Sequence, residues 1–294
     1  MRMLFLTTGL PSAIGGERLR PLNFLRYFPK DWQIKLLSFV GSETEKELLK
    51  NPFLANISVG TVTLPKYKSY LNCLQGIPNG EPLEVAYYKS SQMHKLVEEE
   101  LRSVKYDIIF CHLLRMAPYA LKYPGPKKVL DLVDALSLRY ALSSKFRKGT
   151  FKFIEGIESQ RLRKYEPWVS QEFDLNLTAS SSDKIYLGNL GVKNLAVLEN
   201  GIDLGWASEP AYGKLDLHKI VFFGNFRTFH NIDAVMYFYK KIFPLIKQKV
   251  KKAKFVVAGA NIPRCIMKIK KDKSVDIFAD VADIRPLIRD ACVS

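Results

Sequence analysis

Four side chains suited to acid–base work or to holding an anion fall within one stretch, DIIFCHLLRMAPYALKYPGPKKVLDLVD: His112, Arg115, Asp131 and Asp134. They sit at or just beyond the ends of two apolar runs, Asp107–His112 and Lys128–Leu132, of the kind that form buried strands in a parallel sheet. The carboxyl ends of such strands line the ligand crevice of an open α/β sheet. Asp134 stands out, because it follows a strand and opens a helix predicted over 135–142, a place from which a carboxylate can face the crevice. The same place also suits a simple helix N-cap. His112 is either a crevice group or a hydrogen-bonded structural histidine.

A second set lies near the N-terminus. The apolar run Met3–Thr8 stops at Gly9-Leu10-Pro11, and Leu19, Leu22, Leu25 and Phe28 then recur at helical spacing. Gly15 and Gly16 fall just before that helix, where unpaired backbone N–H groups and the positive dipole end can meet a phosphate or the charge that develops in a reaction. The pair lacks the spacing of the G-x-G-x-x-G dinucleotide fingerprint and also reads as a plain glycine turn. Arg18 and Arg20 on the first turn either clamp an anion or are exposed helix arginines.

The elements that position these residues alternate strand and helix. Strands are expected at 33–40, 57–64 and 173–178, and helices at 43–50, 85–104 and 151–171, with Ser180–Asp183 capping another. The segment from Lys66 to Tyr88 breaks the rhythm with glycines, prolines and tyrosines, and is expected to be either an aromatic binding segment or a self-packed loop. Leu198–Ala234 is a seam: the first α/β domain is expected to cover residues 1–200, a connection 201–218, and a second α/β domain 219–294. In the second, Ile220–Phe223 should be a strand, 232–250 an amphipathic helix, Lys254–Ala258 and Val275–Phe278 strands, and 284–289 a helix. The fold class expected is therefore α/β with two Rossmann-like domains, the second incomplete, and a ligand is expected in a cleft between them.

Composition narrows the partners. The net charge of the 294-residue chain is +16, with basic runs at 247–254 and 268–273, which favours an anionic partner such as phosphate or an anionic membrane surface. No nucleic-acid motif with interleaved aromatics accompanies the lysines, so nucleic acid is not expected. Cys73, Cys111, Cys265 and Cys292 form no ligand or disulfide pattern. No window reaches the roughly 18 to 20 apolar residues needed to span a bilayer, and a cytoplasmic protein, peripheral on the membrane at most, is expected.

Taken together, Gly15-Gly16-x-Arg18-x-Arg20, Leu130–Tyr140 (LDLVDALSLRY), Asn200-Gly201-Ile202-Asp203 and Gly224–Ala234 (GNFRTFHNIDA) resemble family 4 glycosyltransferases, in particular the sugar transferases associated with exopolysaccharide and PEP-CTERM export systems. The resemblance covers nearly the whole chain in order. It implies the GT-B architecture, transfer of a hexose from a nucleotide-sugar donor to a glycan or lipid-linked acceptor, and no further cofactor; no metal-ligand cluster is visible in the sequence. By position, Gly15 and Gly16 would approach the donor phosphates and the reacting sugar, and Asp134 stands where many relatives keep a histidine near the acceptor hydroxyl. Gly224 would open the donor-phosphate loop. Relatives place an arginine next and a lysine a few residues on, whereas this chain has Asn225 and then His230-Asn231, with Arg227 as the replacement cation. In relatives the strand matching Ala291–Ser294 leads to a helix bearing two glutamates that hold the donor. The chain stops before it, so it is expected to be a fragment or a truncated product with impaired turnover. The rival readings are a non-catalytic paralogue that binds glycan or a partner subunit, and a GT-B epimerase, for which no catalytic pattern is seen.

Overall fold

A computed structural model describes residues 1–12, 16–41, 45, 47–50, 54, 57–201, 215–281 and 283–294. The chain divides into two compact units, Met1–Ile202 and Asp203–Ser294.

The first unit is built on strands β1 (Arg2–Thr7), β2 (Gln33–Val40), β3 (Ser58–Thr63), β4 (Ile108–His112), β5 (Lys127–Val133), β6 (Leu175–Thr178) and β7 (Leu195–Val197). They form one parallel sheet in the order β3-β2-β1-β4-β5-β6-β7. Helices α1 (Gly16–Tyr27), α2 (Lys66–Gly76), α3 (Ser91–Ser103), α4 (Leu136–Phe146), α5 (Thr150–Ser170) and α6 (Ser181–Asn189) connect them. Because β1 has a strand on each side, its residues Met3 to Leu6 are all buried, and its apolar run shows no alternation. The sheet separates two cores, one around Leu4, Leu37, Met93 and Leu130, the other around Phe5, Leu36 and Phe110.

Several expectations are corrected here. Lys66–Tyr88 is not a loop: it holds α2 and a single turn at Leu83–Ala86, and Tyr67, Tyr70, Leu71 and Leu74 are spaced for one face of that helix. The next helix begins at Ser91 rather than 85, because the Ser90 hydroxyl accepts from Met93 N at 3.3 Å and caps it. Asp134 does not cap α4. The cap position is Ala135, and the helix-start amides of Ala135 and Ser137 are taken by Asp183 Oδ1 at 3.3 Å and Glu166 Oε1 at 3.1 Å. Of the helix expected at 43–50, a 3-10 turn at Glu47–Lys50 is described.

The second unit has a parallel sheet of β8 (Asp216–Asn225), β9 (Lys254–Ala260), β10 (Val275–Ala279) and β11 (Ala291–Val293), ordered β10-β9-β8-β11. Its helices include α7 (Phe229–Tyr237) and α8 (Phe243–Lys249). The single helix expected over 232–250 is interrupted by a π-turn at Phe238–Ile242, just ahead of Pro244, which lacks the N–H a continuous helix would use there. Strand β8 starts at Asp216, earlier than the expected Ile220; residues 202–214 of the expected connection lie outside the described set. The core gathers Phe226, Val235, Phe243, Phe255 and Ile277. Among the described residues, no helix is long and apolar enough to cross a membrane.

Candidate functional site

In the first sheet the chain runs outward from β1 to β3 and then returns to β4 on the other side. The switch point is thus between β1 and β4, where the strand ends leave a crevice. Helix α1 follows β1, His112 ends β4, and Asp131 lies near the end of β5, so the topology draws three of the expected residues together. Arg20 Nε and Nη2 each donate to Asp131 at 2.9 Å, and Arg20 Nη1 donates to Asn200 Oδ1 at 2.9 Å. His112 Nδ1 is 2.8 Å from Asp131 Oδ2, and Nε2 is 3.1 Å from the Glu17 carbonyl oxygen. Burial pushes the Asp131 carboxyl up, but the hydrogen bonds from His112 and Arg20 outweigh it and hold the group below the ordinary carboxylate value.

These contacts revise the roles expected for the basic residues. Arg20 is buried and its guanidinium is committed to Asp131 and Asn200. Arg18 pairs with Glu45 instead, so the two arginines do not form a joint anion clamp. Both ring nitrogens of His112 are occupied by acceptors, which leaves the ring closed to an incoming hydroxyl. Gly16 begins α1; Gly15 lies outside the described residues.

A second network borders the first. Arg115 Nε donates to Glu84 Oε2 at 2.5 Å and Nη1 to Glu17 Oε2 at 3.1 Å. Glu84 also accepts from Arg139 at 3.2 Å and from the Tyr140 hydroxyl at 2.5 Å. Burial raises Glu84, but Arg115, Tyr140 and Arg139 outweigh it, and the group stays ionised below its usual range. Arg139 reaches on to Asp134 Oδ2 at 3.4 Å. Asp134 keeps an open face, with 37 % of its side chain exposed, as does Glu17 with 56 %, whereas Glu84 is closed in. Burial pushes its pKa above the normal value and nearby Asp183 adds to this, while Arg139 and Arg115 oppose it.

The backbone that presents these groups is strained. Val133 has φ +68°, and Asp134 N bonds to Leu132 O at 2.9 Å, a three-residue turn that a β-branched side chain rarely adopts. The Val133 carbonyl is pinned by Ala179 N at 2.7 Å and Thr178 Oγ1 at 3.1 Å. Leu113, next to His112, has φ 73° and ψ 145°, a region used almost solely by glycine. Two strained strand ends flanking one crevice mark it as a site where geometry was kept despite its cost. Glu17 and Glu84 were not legible beforehand: they stand 98 and 31 positions from Arg115 in sequence, and only the fold joins them.

The second unit has its own strand-end site. Gly224 and Gly259 are paired across β8 and β9, and a Cβ on Gly259 would lie 1.9 Å from the Gly224 carbonyl oxygen, with φ +146° besides. Only glycine fits there. Just beyond, Arg227 N donates to Asn225 Oδ1 at 3.1 Å, Asn261 Nδ2 to the same oxygen at 3.2 Å, and Arg227 Nε to Asn261 Oδ1 at 3.2 Å. Asn231 Nδ2 donates to the Asn225 carbonyl at 2.9 Å. Helix α7 starts directly after this loop, and its cap residue Thr228 turns its hydroxyl to Asn225 O at 2.8 Å, leaving no side-chain cap on the helix amides. Asn225, Arg227 and Asn231 therefore come together, whereas His230 is exposed on the first turn of α7 and joins no hydrogen bond of the cluster. Asn261 was missed, although Gly-Ala-Asn closing an apolar strand is a usable signal.

No protein-family model matches the sequence, and no curated protein matches it. Solved structures do. The chain is similar to TarM of S. aureus, solved with fondaparinux, α-GlcNAc-glycerol and UDP (TM-score 0.64, 9% identity, 99% of this chain and 80% of that one). It is also similar to a UDP-forming trehalose-phosphate synthase from Burkholderia xenovorans (0.56, 11%, 98% and 75%) and to a glycosyltransferase from Rickettsia africae (0.56, 14%, 99% and 71%). At such identities the likeness is one of fold. Two parallel-sheet units of this kind are the Rossmann-like domains of the GT-B architecture.

Proposed function

We propose that this chain is a glycosyltransferase of the family 4 type, moving a hexose from a nucleotide diphosphate sugar to a glycan or lipid-linked acceptor in exopolysaccharide or cell-envelope synthesis. The observation that carries the reading is the Gly224–Gly259 strand end, where side-chain-free backbone, an uncapped helix start and Arg227 adjoin. That combination suits a diphosphate: helix amides and a guanidinium can take the charge that grows on the leaving group. The fold neighbours named with UDP support a uridine nucleotide as the first donor to try. On the first unit, Asp134 is the group assigned to orient the acceptor hydroxyl. Glu84, Arg115 and Arg139 hold its surroundings, and Gly16 at the start of α1 faces phosphate or sugar. The net charge of +16 favours peripheral attachment to an anionic membrane face.

Calorimetric titration with UDP, GDP and their hexose conjugates tests the reading, followed by transfer assays with glycan acceptors. Binding of at least one nucleotide sugar is expected, weakened roughly tenfold or more by Arg227→Ala, as loss of a charge-assisted hydrogen bond predicts. If none of them binds, the glycosyltransferase reading fails. The occupied state of His112 and Arg20 favours a second reading, a protein that binds a nucleotide sugar without transferring it. Saturable binding with no product from any acceptor would select it.

A further inference from the structure

Helix α2 is turned inside out. Tyr67, Tyr70, Leu71 and Leu74 recur at the spacing of one helix face, yet that face looks outward: Tyr70 is 62% and Leu74 63% exposed, while Ser69 and Gly76 are buried. At the α4–α5 corner, Phe146, Phe151 and Phe153 are 64%, 64% and 74% exposed, with Ile154 and Ile157 beyond them on the outer side of α5. Arg161 Nη2 donates to the Ile77 carbonyl at 2.8 Å, which seats the end of α2 beside α5 one turn from Ile157. Exposed apolar residues grouped in this way mark an interaction surface.

What covers that surface is indicated by its charge. The corner reads LSSKFRKGTFKFI from Leu142 to Ile154, and α2 reads KYKSYLNCLQG; neither contains an acid. Lys145, Lys148 and Lys152 are interleaved with the three phenylalanines, and Lys66 and Lys68 begin α2. The carboxylate nearest the corner in sequence, Glu155, is paired with Arg147 at 3.1 Å and only 13 % exposed. Aromatic side chains flanked by flexible cations then fit the boundary of an anionic bilayer, where rings enter the headgroup layer and ammonium groups meet lipid phosphates.

We infer that the α4–α5 corner and the outward face of α2 dock this protein on an anionic lipid surface, with Phe146, Phe151 and Phe153 as the inserted side chains. This locates the membrane attachment proposed above, but does not depend on the transferase reading, since it is measured without nucleotide or acceptor.

The test is sedimentation of the full chain with vesicles of phosphatidylcholine alone or mixed with phosphatidylglycerol, at low and high salt. Wild type is expected to bind the mixed vesicles and to release with salt. F151S/F153S should lower the partition coefficient by roughly tenfold or more, and K145Q/K148Q/K152Q by roughly fivefold per lysine. K251Q/K252Q removes charge from the second unit and should change little. Tryptophan emission of F151W should shift to the blue on adding mixed vesicles. All these positions are exposed, and circular dichroism checks that each variant is folded. The inference is overturned if F151S/F153S binds like wild type, if K251Q/K252Q loses as much as the corner lysines, if no vesicle binds, or if the surface proves to pair two copies in solution without binding vesicles.

Discussion

Arg20 and Asp131, 111 residues apart in sequence, share two parallel hydrogen bonds of 2.9 Å, and His112 adds a third to the same carboxylate. The contact ties the first turns of α1 to the middle of the sheet. Removing one partner leaves a buried charge unpaired, so Asp131→Asn and Arg20→Leu should each cost about 3–5 kcal/mol in urea unfolding of the first unit. The double variant should cost less than their sum. Additive losses would show that the pair is not an energetic unit.

Asp131 also sets a pH limit. Against the upward push of burial, His112 and Arg20 hold its folded pKa below the ordinary aspartate value of 3.8, so the stability it contributes is present above that value and is lost as pH falls through the lower, folded one. Asp131→Asn should flatten the acid limb of a stability–pH curve, measured by chemical denaturation between roughly pH 2 and 5.

Glu166 acts in the opposite sense. It is fully buried, with the Ser137 amide and hydroxyl as partners, and burial raises its pKa from 4.5 to about 7. The folded state therefore keeps a proton that the unfolded state has lost, and stability should fall as pH rises from 4.5 to 7. The effect is on the order of 3 kcal/mol, and Glu166→Gln, which mimics the protonated acid, should remove most of it.

Gly259 and Gly224 should respond differently to alanine. At Gly259 a methyl meets backbone at 1.9 Å with φ +146°, so the second unit should lose about 3 kcal/mol or more. At Gly224 the neighbour is the Asn231 amide at 2.8 Å, which can move. Gly224→Ala should therefore leave thermal unfolding nearly unchanged and weaken nucleotide binding instead. Equal destabilisation by both would count against the assignment.

Asp134→Asn should lower the transfer rate by about 10²-fold or more while leaving nucleotide affinity near wild type. Val133→Gly relieves the positive φ and should not destabilise the fold, yet should still slow transfer by loosening Asp134. Wild-type rates in both would remove Asp134 from the proposed mechanism.

The strands and most helices were legible because their signals are local: β1, β4, β5 and β9 are short apolar runs, and the order of strand and helix dictates parallel pairing with helical crossovers. Gly224 with Asn225, Arg227 and Asn231 was legible for the same reason, since a strand, a glycine and a helix start are adjacent in the chain, whereas Asn261, 36 positions from Asn225, was not, and His230 stays outside the cluster. Partnership was not legible. The sequence by itself placed Arg20, His112 and Asp131 near a crevice, but only the tertiary structure decided that they are spent on one another, because hydrogen bonds between residues 19 and 111 positions apart leave no local trace. The helical spacing in α2 could likewise be read from its letters, but not that its apolar face turns to solvent, since periodicity shows that a face exists while packing decides which way it looks.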